Sequence, residues 1–483
     1  MKFKYISTIL MTGALLLATS CSDYLDKDPE NTVAVSDIDY TNMSNLYQPV
    51  SGVYAKIRTG AMHWVIWPLV IVRDDDMWSG RTDDQGDLVS FGNYDYMSGY
   101  WGLNEMWTQY YGIIKTANSA LEALDQYAAN MTTDSLLSIY RSYAGEVRFL
   151  RAYTYYRLVQ AFGPVTILRT NSQTDLTRST VSAVYNYALE DLEYAMEYCQ
   201  RLRPNEMEHE GAVTAYTAEM LAAKIYLNQG NYEEVKTLTD DIINSGKFEL
   251  YSDYYELFKI PGKLCNESLF ECQCTDFGTG SGDMVDADNW FVFQGPGNLG
   301  GWNFIRFYPS FYTWAEERGD SIRLITTCMP GGGTTTPSGD VVTSGTTEDY
   351  YNGKAYTPTS ELTEGRTKYG SNNNIRIFRY AEVLLMNAEA SVRLGQSGDE
   401  PFNEVRARAN MPELTNVTVD QILDERRMEL AGEWGERYND LIRTGMAAEV
   451  IGPSGWTEDE TYYPVPYQQL SDVPELANDP IDE

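Results

Sequence analysis

The sequence is poor in histidine and in positive charge. Its 483 residues include only two histidines, His63 and His209, and its 36 Lys and Arg against 70 Asp and Glu give a formal net charge of −34. Histidine provides much of the acid–base and zinc chemistry of enzymes, so its scarcity argues against a hydrolase. The acidic balance argues against binding to nucleic acid and against docking on anionic lipid headgroups, because both repel a negative surface.

Long hydrophobic runs are also scarce, and the one clear example is N-terminal. Residues 6–18 are apolar and uncharged and follow Lys2 and Lys4, which is typical of a secretory signal peptide. The run is too short to cross a bilayer core of ~30 Å. It ends in LATSC, which resembles a bacterial lipoprotein box, so we expect a signal peptide at 1–20 and lipid attachment at Cys21. Simple secretion with cleavage near Ser20 is the alternative.

The mature chain has five further cysteines, an odd number that cannot pair completely. A chain of this length does not need a disulfide scaffold. Cys272 and Cys274 lie two residues apart in a strand-like segment with no histidine nearby, which argues against a metal site. We therefore expect Cys199, Cys328 and this pair to be buried thiols, with one optional disulfide to Cys265, and we expect no metal or other cofactor.

Helical periodicity dominates two parts of the chain. After an acidic, Pro29-containing tether at 21–36, apolar residues recur at helical spacing in 117–128, 134–162 and 179–201. Residues 218–227, a turn at Gly230 and a second helix from Tyr232 to residue 244 match a tetratricopeptide unit. A looser pair lies at 381–394 and 401–409. The pattern predicts a mostly α fold with a tetratricopeptide-like helical repeat scaffold, in an N-terminal region 37–246 and a C-terminal region 376–483.

Residues 247–375 differ from both helical regions. Short aromatic runs alternate there with Gly, Pro, Ser, Thr and Asn, and 329–348 has the composition of a loop. We expect an irregular, loop-rich insert with short strands, of the kind that carries binding residues on a rigid frame. Asp283, Asp286 and Asp288 lie in this insert and could hold calcium, but their spacing is not that of an EF-hand loop.

Aromatic residues are abundant, with 37 Tyr and 10 Trp, and two groups of them are interrupted by glycines. Flat rings with polar groups around them suit the apolar face and polar rim of a sugar. We predict Trp101, Trp290 and Trp302 as stacking platforms and Arg81, Asn93 and Asn298 as rim donors, all in loops, with Trp78, Tyr96 and Tyr100 as further ligand contacts. Core packing is the alternative for each ring. The remaining prominent rings are assigned to the core or scaffold: Trp107, Tyr110, Tyr111, Trp314 and Trp434.

Two patterns that suggest enzymes or nucleotides have simpler explanations. Residues 295–300 fit G-x-G-x-x-G, but no helix opening follows, so the anion site of a nucleotide fold is missing. Glu425, Glu429 and Glu433 share one helix face beside Arg426 and Arg427, and Arg437 follows at helical spacing, which indicates ion pairs between helices. A catalytic carboxylate pair remains the alternative for these acids.

Several segments, in order along the chain, resemble the SusD/RagB family of outer-membrane nutrient-binding lipoproteins of the Bacteroidetes. The segments are RAYTYYRLVQAFGPV at 151–165, RYAEVLLMNAEA at 379–390, NEVRARA at 403–409, ERRMELAGE at 425–433 and YPVP at 463–466.

This resemblance implies a non-catalytic, lipid-anchored protein on the exterior face of the outer membrane. Its cargo would be a glycan, delivered to a SusC-like TonB-dependent transporter. The acidic residues after Cys21 resemble the family's signal for surface display. Peptide cargo, as in RagB-like relatives, and a carboxylate-based glycoside hydrolase are the alternatives.

Overall fold

The computed structural model describes residues 38–81, 83–274, 290–362 and 372–483. The predicted signal peptide, Cys21, the tether and Asp283, Asp286 and Asp288 lie outside these ranges. Residues 46–483 form one compact unit, to which everything below belongs. No helix within the described ranges has the length and apolar character needed to cross a membrane.

The N-terminal region is helical. Its helices are α1 Gln48–Lys56, α2 Ile66–Ile71, α3 Asp87–Gly92, α4 Trp101–Ala128, α5 Asp134–Phe162, α6 Val181–Tyr198, α7 Ala215–Gln229 and α8 Tyr232–Asn244. Threonines begin several of them: the side chains of Thr133, Thr180 and Thr214 each accept an N–H of the first turn. Helix α7 ends at Gly230, whose φ of +71° allows the turn into α8.

The middle of the chain combines two helices with short strands. The helices are α9 Pro309–Glu317 and α10 Ser321–Thr327. The strands are β1 Met77–Ser79, β2 Ser268–Cys272, β3 Ile305–Phe307, β4 Cys328–Pro330, β5 Thr334–Thr335, β6 Val341–Val342, β7 Tyr350–Asn352 and β8 Ile375–Arg379. The prediction that the candidate platform and rim residues all lie in loops is wrong in part, because Trp101 is the first residue of α4. Trp78, a further predicted contact, lies in β1.

The C-terminal region completes the helical frame. Its helices are α11 Tyr380–Arg393, α12 Asp399–Arg408, α13 Val419–Leu430, α14 Glu436–Arg443, α15 Ala447–Val450 and α16 Tyr467–Asp472. Neighbouring helices pack as pairs, α5 with α6, α7 with α8 and α11 with α12, and α8 also packs against α11. The mostly α fold with paired helices and a strand-containing insert is therefore confirmed.

A small sheet joins the N-terminal region to the insert. Its strands are ordered β1-β3-β7-β4, all antiparallel, with Met77 opposite Phe307 and Ser79 opposite Ile305. Strand β2 pairs separately with β8, and β5 pairs with β6 as a hairpin. Because β1 follows α2 and β3 lies in the insert, the first sheet fixes the insert relative to the N-terminal helices.

Ion pairs hold α13 against its neighbours, as the spacing of the acids predicts. Glu429 is buried and accepts hydrogen bonds from Arg379 at 2.8 Å and Arg323 at 3.2 Å, and it also pairs with Arg408. Burial alone raises the pKa of Glu429, but Arg408, Arg379 and Arg323 outweigh it and hold that pKa below its usual range. The carboxylate of Glu429 is therefore an ion-pair partner within the helical frame.

Two arginines do not pair with an acid one turn away on their own helix but with aspartates from a distant segment. Arg437 does not pair with Glu433 but donates to Asp75 at 2.8 Å. Arg427 likewise donates to Asp76 at 2.7 Å. Both bonds connect the C-terminal helices to the segment just before β1, a long-range contact that local spacing does not indicate.

The cysteines carry no disulfide among the described residues, so the optional bridge from Cys265 is not formed. Cys199, Cys272, Cys274 and Cys328 are buried, as expected, and Cys265 is half-buried. Burial raises the pKa of the Cys199 and Cys328 thiols well above the usual range, which makes them poor nucleophiles.

Candidate functional site

Three tryptophans from distant parts of the chain meet at the surface. The ring of Trp64 lies 5.7 Å from that of Trp101 and 5.3 Å from that of Trp302, centroid to centroid, with interplanar angles of 62° and 88°. Trp101 is 46% exposed, and the other two rings are half-buried. We call Trp64, Trp101 and Trp302 the tryptophan platform. Two of its members, Trp101 and Trp302, are sequence predictions that the structure brings together through Trp64.

Two members of the platform lie at helix beginnings. Trp101 is the first residue of α4, after Tyr100, whose extended backbone leads into the helix. The Tyr100 ring is buried and lies 5.9 Å from Trp101. Trp64 lies just before α2, whose own Trp67 is turned into the core. The platform therefore rests on rigid elements, which limits the freedom of its rings.

Trp302 is held by a compact turn rich in glycine. Gly301 donates its N–H to Pro296 O at 3.0 Å, and Asn303 donates to Gly295 O at 3.0 Å. A Cβ at Gly301 would overlap the backbone of Gly295. A nucleotide site would need a helix to begin directly after this glycine-rich turn, and strand β3 follows it instead. The glycines of 295–301 thus serve to fold the chain tightly beneath Trp302.

Arg81 supports the same turn from the other side. Its Nη1 donates to Trp302 O at 2.8 Å, while its Nε donates to Asp83 at 2.9 Å. The guanidinium group also lies 5.5 Å from the ring of Phe304, which in turn contacts Trp302. Arg81 is therefore a positioning residue for the platform, and a direct role at the ligand rim stays a prediction.

Asn298 is exposed, but its side chain already makes hydrogen bonds within the protein. Its Nδ2 donates to Val341 O at 2.8 Å and its Oδ1 accepts from the Ser344 N–H at 3.1 Å. These bonds tie the turn of Trp302 to strand β6 of the hairpin. The amide of Asn298 thus serves as a clamp between two loops, and its role as a rim donor stays a prediction.

Three other predicted ligand contacts are placed elsewhere. Trp290 is 2% exposed and packs against Trp67 at 5.7 Å, so the prediction of a platform there is wrong. Tyr100 is buried behind Trp101. Tyr96 is half-buried and stacks on Phe91 at 4.8 Å. In each case the ring helps to fill the core, which a local glycine-rich context does not reveal.

Trp78 and Asn93 are also not brought to the platform by any contact among the described residues. Trp78 is half-buried on β1, with the Arg306 guanidinium 5.0 Å from its ring and Tyr308 stacked at 5.7 Å. Asn93 is exposed at the end of α3. Their roles as ligand contacts stay predictions.

Trp64 and His63 are the residues that sequence reasoning missed. The half-buried His63 ring lies 5.8 Å from Trp64, and its Nδ1 accepts the Val65 N–H at 3.3 Å, which leaves the ring proton on Nε2. Burial lowers the pKa of His63, against the opposing charge of Glu105, so the ring is neutral at neutral pH. In the sequence, these two residues could have been noticed only because a tryptophan stands beside one of the two histidines, just before α2.

The chemistry available at this surface is stacking and hydrogen bonding. Aromatic faces can contact the C–H face of a sugar, and His63 Nε2 and Glu105, one helical turn after Trp101, are polar groups near the rings. Within the described ranges, no group of His, Cys, Asp and Glu has the arrangement of a metal site. The surface therefore suits recognition of a flat ligand with an apolar face and a polar rim.

Two family models match the chain. The model described as "SusD family" matches residues 326–474, and the model described as "Starch-binding associating with outer membrane" matches residues 23–227. Together they cover more than two thirds of the sequence, including most of the segments on which the resemblance rests.

Individual proteins agree with the family models over nearly the whole chain. SusD-like protein P38 of Formosa agariphila is 25% identical, with 98% of each chain covered. A solved structure entitled "Laminarin binding SusD-like protein" aligns with a TM-score of 0.74 at 23% identity, covering 88% of this chain and 97% of the other.

A second solved structure is of surface glycan-binding protein A from Bacteroides thetaiotaomicron, in complex with laminarihexaose. It aligns with a TM-score of 0.72 at 24% identity, covering 89% of this chain and 97% of the other. At these identities the two structures establish the fold.

Proposed function

We propose that this chain, which belongs to the SusD/RagB family, is a non-catalytic glycan-binding lipoprotein on the exterior face of the outer membrane. It holds an oligo- or polysaccharide on the tryptophan platform and delivers it to a SusC-like TonB-dependent transporter. The observation that carries this proposal is the convergence of Trp64, Trp101 and Trp302, from three distant segments, into one partly exposed set of rings.

Burial energetics support a binding role for these rings. Trp101 is 46% exposed beside two half-buried tryptophans, and partly exposed apolar area gathered in one place is typical of a binding surface. The Trp64 ring is inclined at 62° to Trp101 and at 88° to Trp302, which offers faces in more than one direction to a bent chain of sugars. Affinity for a single sugar will be weak, because a polar ligand buries little apolar area.

The names of related proteins support a glycan as the ligand. One neighbour is named for laminarin, and another was solved with laminarihexaose. One family model is described as starch-binding and associated with the outer membrane. Lipid attachment at Cys21 would supply that association without a membrane-spanning helix.

A catalytic role has less support from the geometry. Glu425, Glu429 and Glu433 are buried in ion pairs with arginine and lysine, so they cannot act on a polysaccharide. We therefore expect no glycosidase activity. Incubation of the purified protein with a panel of polysaccharides should release no product above a heat-inactivated control.

Affinity electrophoresis in gels that contain single glycans tests the binding site. Trp101→Ala and Trp64→Ala should each weaken binding of the retarding glycan by about tenfold or more, because each removes a stacking face. The melting temperature of Trp101→Ala should be nearly unchanged, since the ring is half exposed. Trp314→Ala, a scaffold ring that does not contact the platform rings, is the matched control.

Two results would contradict the proposal. One is retardation that is equal in the wild type and both platform variants. The other is no retardation in any glycan together with retention on immobilised peptides, which would favour the peptide-binding alternative.

A further inference from the structure

Two buried arginines border the same small cavity in the helical frame. Arg73 is 2% exposed and Arg157 is 5% exposed, and both line a space of about 30 Å³. Its other walls come from α2, α4 and α14, with Trp434 and Tyr463 beside them. About 10–15 Å³ is enough to hold one water molecule, so this space has room for one or two waters or for one monatomic ion.

Arginine that is buried elsewhere in this protein is paired with a carboxylate. The guanidinium group stays protonated at any ordinary pH, so its burial is favourable only when opposite charge and hydrogen bonds compensate it. The other buried arginines each form an ion pair: Arg151, Arg323, Arg376, Arg379, Arg406 and Arg426. Within the part of the chain that the structure describes, Arg73 and Arg157 differ from these, because neither pairs with a carboxylate.

The hydrogen bonds of Arg73 go to neutral groups. Its Nη2 donates to the carbonyl oxygens of Glu460 and Thr461, the latter at 3.2 Å. Its Cζ lies 4.2 Å from the ring centroids of both Tyr438 and Tyr463. Its Nε is buried and has no hydrogen-bond partner among the described residues. A side chain of fixed positive charge therefore reaches the cavity with one donor unsatisfied.

Arg157 is likewise held by neutral groups. Its Nη1 donates to Gln160 Oε1 at 2.8 Å, and its Cζ lies 5.2 Å from the ring centroid of Trp434. Glu436 is a nearby acid, but its carboxylate pairs with Lys224 at 2.9 Å. The direct partner of the Arg157 charge is therefore an amide and not a carboxylate.

The rest of the lining supplies no negative charge. No carboxylate is among the described residues that line the cavity. Burial raises the pKa of Tyr110, Tyr438 and Tyr463, so these phenols stay neutral at neutral pH. Because the space is so small, a single occupant lies against both arginine side chains. A water molecule there could satisfy a donor, but it would leave both positive charges uncompensated.

We propose that this cavity binds one chloride ion, or another halide of similar size, between Arg73 and Arg157. A monatomic anion fits the volume, accepts hydrogen bonds from guanidinium N–H groups and offsets their charge, whereas a water molecule does only the first two. The bound ion joins α2 and α4 to α5 and α14, so its effect is on the stability of the helical frame. None of the platform residues lines the cavity.

Thermal unfolding of the purified protein in chloride tests this site. Gluconate, which is too large to enter, replaces chloride at constant ionic strength, so that the screening of surface charges does not change. We expect the melting temperature to rise saturably with chloride, by about 2 °C or more. Bromide should give the same saturable rise, and crystals soaked in bromide should show an anomalous-scattering peak between Arg73 and Arg157.

Gln160→Glu supplies the missing charge from the chain itself. The new carboxylate oxygen takes the place of the amide oxygen that Arg157 already contacts, so the melting temperature of this variant should no longer depend on chloride. Gln109→Glu is the matched control: it adds the same charge at another half-buried glutamine, which accepts from Lys56 Nζ at 2.9 Å and does not line the cavity. This control should keep the chloride dependence of the wild type.

Three outcomes would overturn the inference: no saturable rise with chloride, equal chloride dependence in Gln160→Glu and the wild type, or no bromide peak in the cavity. The bromide measurement uses the wild-type chain, so it decides the matter even if a variant does not fold. Glycan retardation of the wild type reports separately on the tryptophan platform, and the two sites can therefore fail independently.

Discussion

At the scale of single residues, exposure separates the tryptophans that sequence alone treats alike. Trp101 and Trp290 both lie near glycines, yet one is 46% exposed and the other 2%. Local composition indicates that a segment turns, but which side of the turn faces solvent depends on packing by segments far away in sequence. The sequence therefore singled out two of the three rings that lie together, Trp101 and Trp302, and missed Trp64, which lies before a helix of buried residues and looks like its continuation.

Arg81 gives a test of positioning as distinct from ligand contact. Arg81→Lys should weaken glycan binding by several-fold, because lysine cannot bond Trp302 O and Asp83 together as the planar guanidinium does. The intrinsic fluorescence of the platform should change in the absence of glycan, which a loss of ligand contact alone would not cause. An unchanged spectrum with weaker binding would instead make Arg81 a ligand contact.

Glu146 predicts an unusual dependence of stability on pH. This acid lies in α5, and burial raises its pKa in the folded state to about 8, above the ordinary ~4.5. The stability that it contributes is therefore fully present below about 4.5 and is lost as pH rises through 8. The free energy of unfolding should therefore fall between pH 5 and 8, by up to about 3 kcal/mol from this group. Glu146→Gln should flatten that slope in urea titrations. If the unfolding free energy of the variant falls with pH as steeply as that of the wild type, Glu146 is not the group responsible.

At the scale of elements, the helices were the most predictable part of the chain. The predicted helix at 134–162 is α5, and 218–227 with the turn at Gly230 is the core of α7, because strong periodicity and end signals agree there. Helix α4 begins at Trp101, sixteen residues before the predicted start at 117, although its first half already buries one helical face through Leu103, Met106 and Tyr110. Short strands such as β1 and β3 were not placed, because pairing partners far apart in sequence define them.

Glu429 shows how α13 is joined to the insert. Glu429→Gln should lower the free energy of unfolding by about 3–5 kcal/mol, because it leaves Arg379, Arg323 and Arg408 buried beside a neutral group. The pKa of Glu429 is held below its usual range, so the stability it gives is present above about 4.5 and is lost as pH falls below that value. Glu413→Gln, at an exposed position, is the control. An equal loss of unfolding free energy in the two variants would contradict this role of Glu429.

At the scale of the whole molecule, the chain combines an acidic composition, a rigid helical frame and a proposed binding surface made from several loops and helix ends. The frame and the family were accessible from sequence because they depend on repeated local patterns and on motifs in a fixed order. Which rings lie together at the tryptophan platform could be predicted only in part, because it depends on how the insert folds back on the N-terminal helices through the sheet of β1 and β3.

The lipid anchor is a prediction at this scale. Cys21→Ala should leave the protein soluble or mislocalised, because no acyl chain is then attached and stable anchoring needs buried CH₂ groups. Cell-surface labelling and fractionation of whole cells measure the outcome, with Cys265→Ala as a control that keeps Cys21. Normal surface labelling of Cys21→Ala would contradict the anchor.

The tie between Arg81 and the backbone of Trp302 has a consequence for the proposed binding of a glycan. A carbohydrate that touches both Trp101 and Trp302 spans a helix of the N-terminal region and a turn of the insert, and so acts as a reversible cross-link between them. Saturating carbohydrate should therefore slow proteolytic cleavage of the insert as well as raise the unfolding temperature, since a ligand that binds only the assembled state protects every segment that must be in place to receive it.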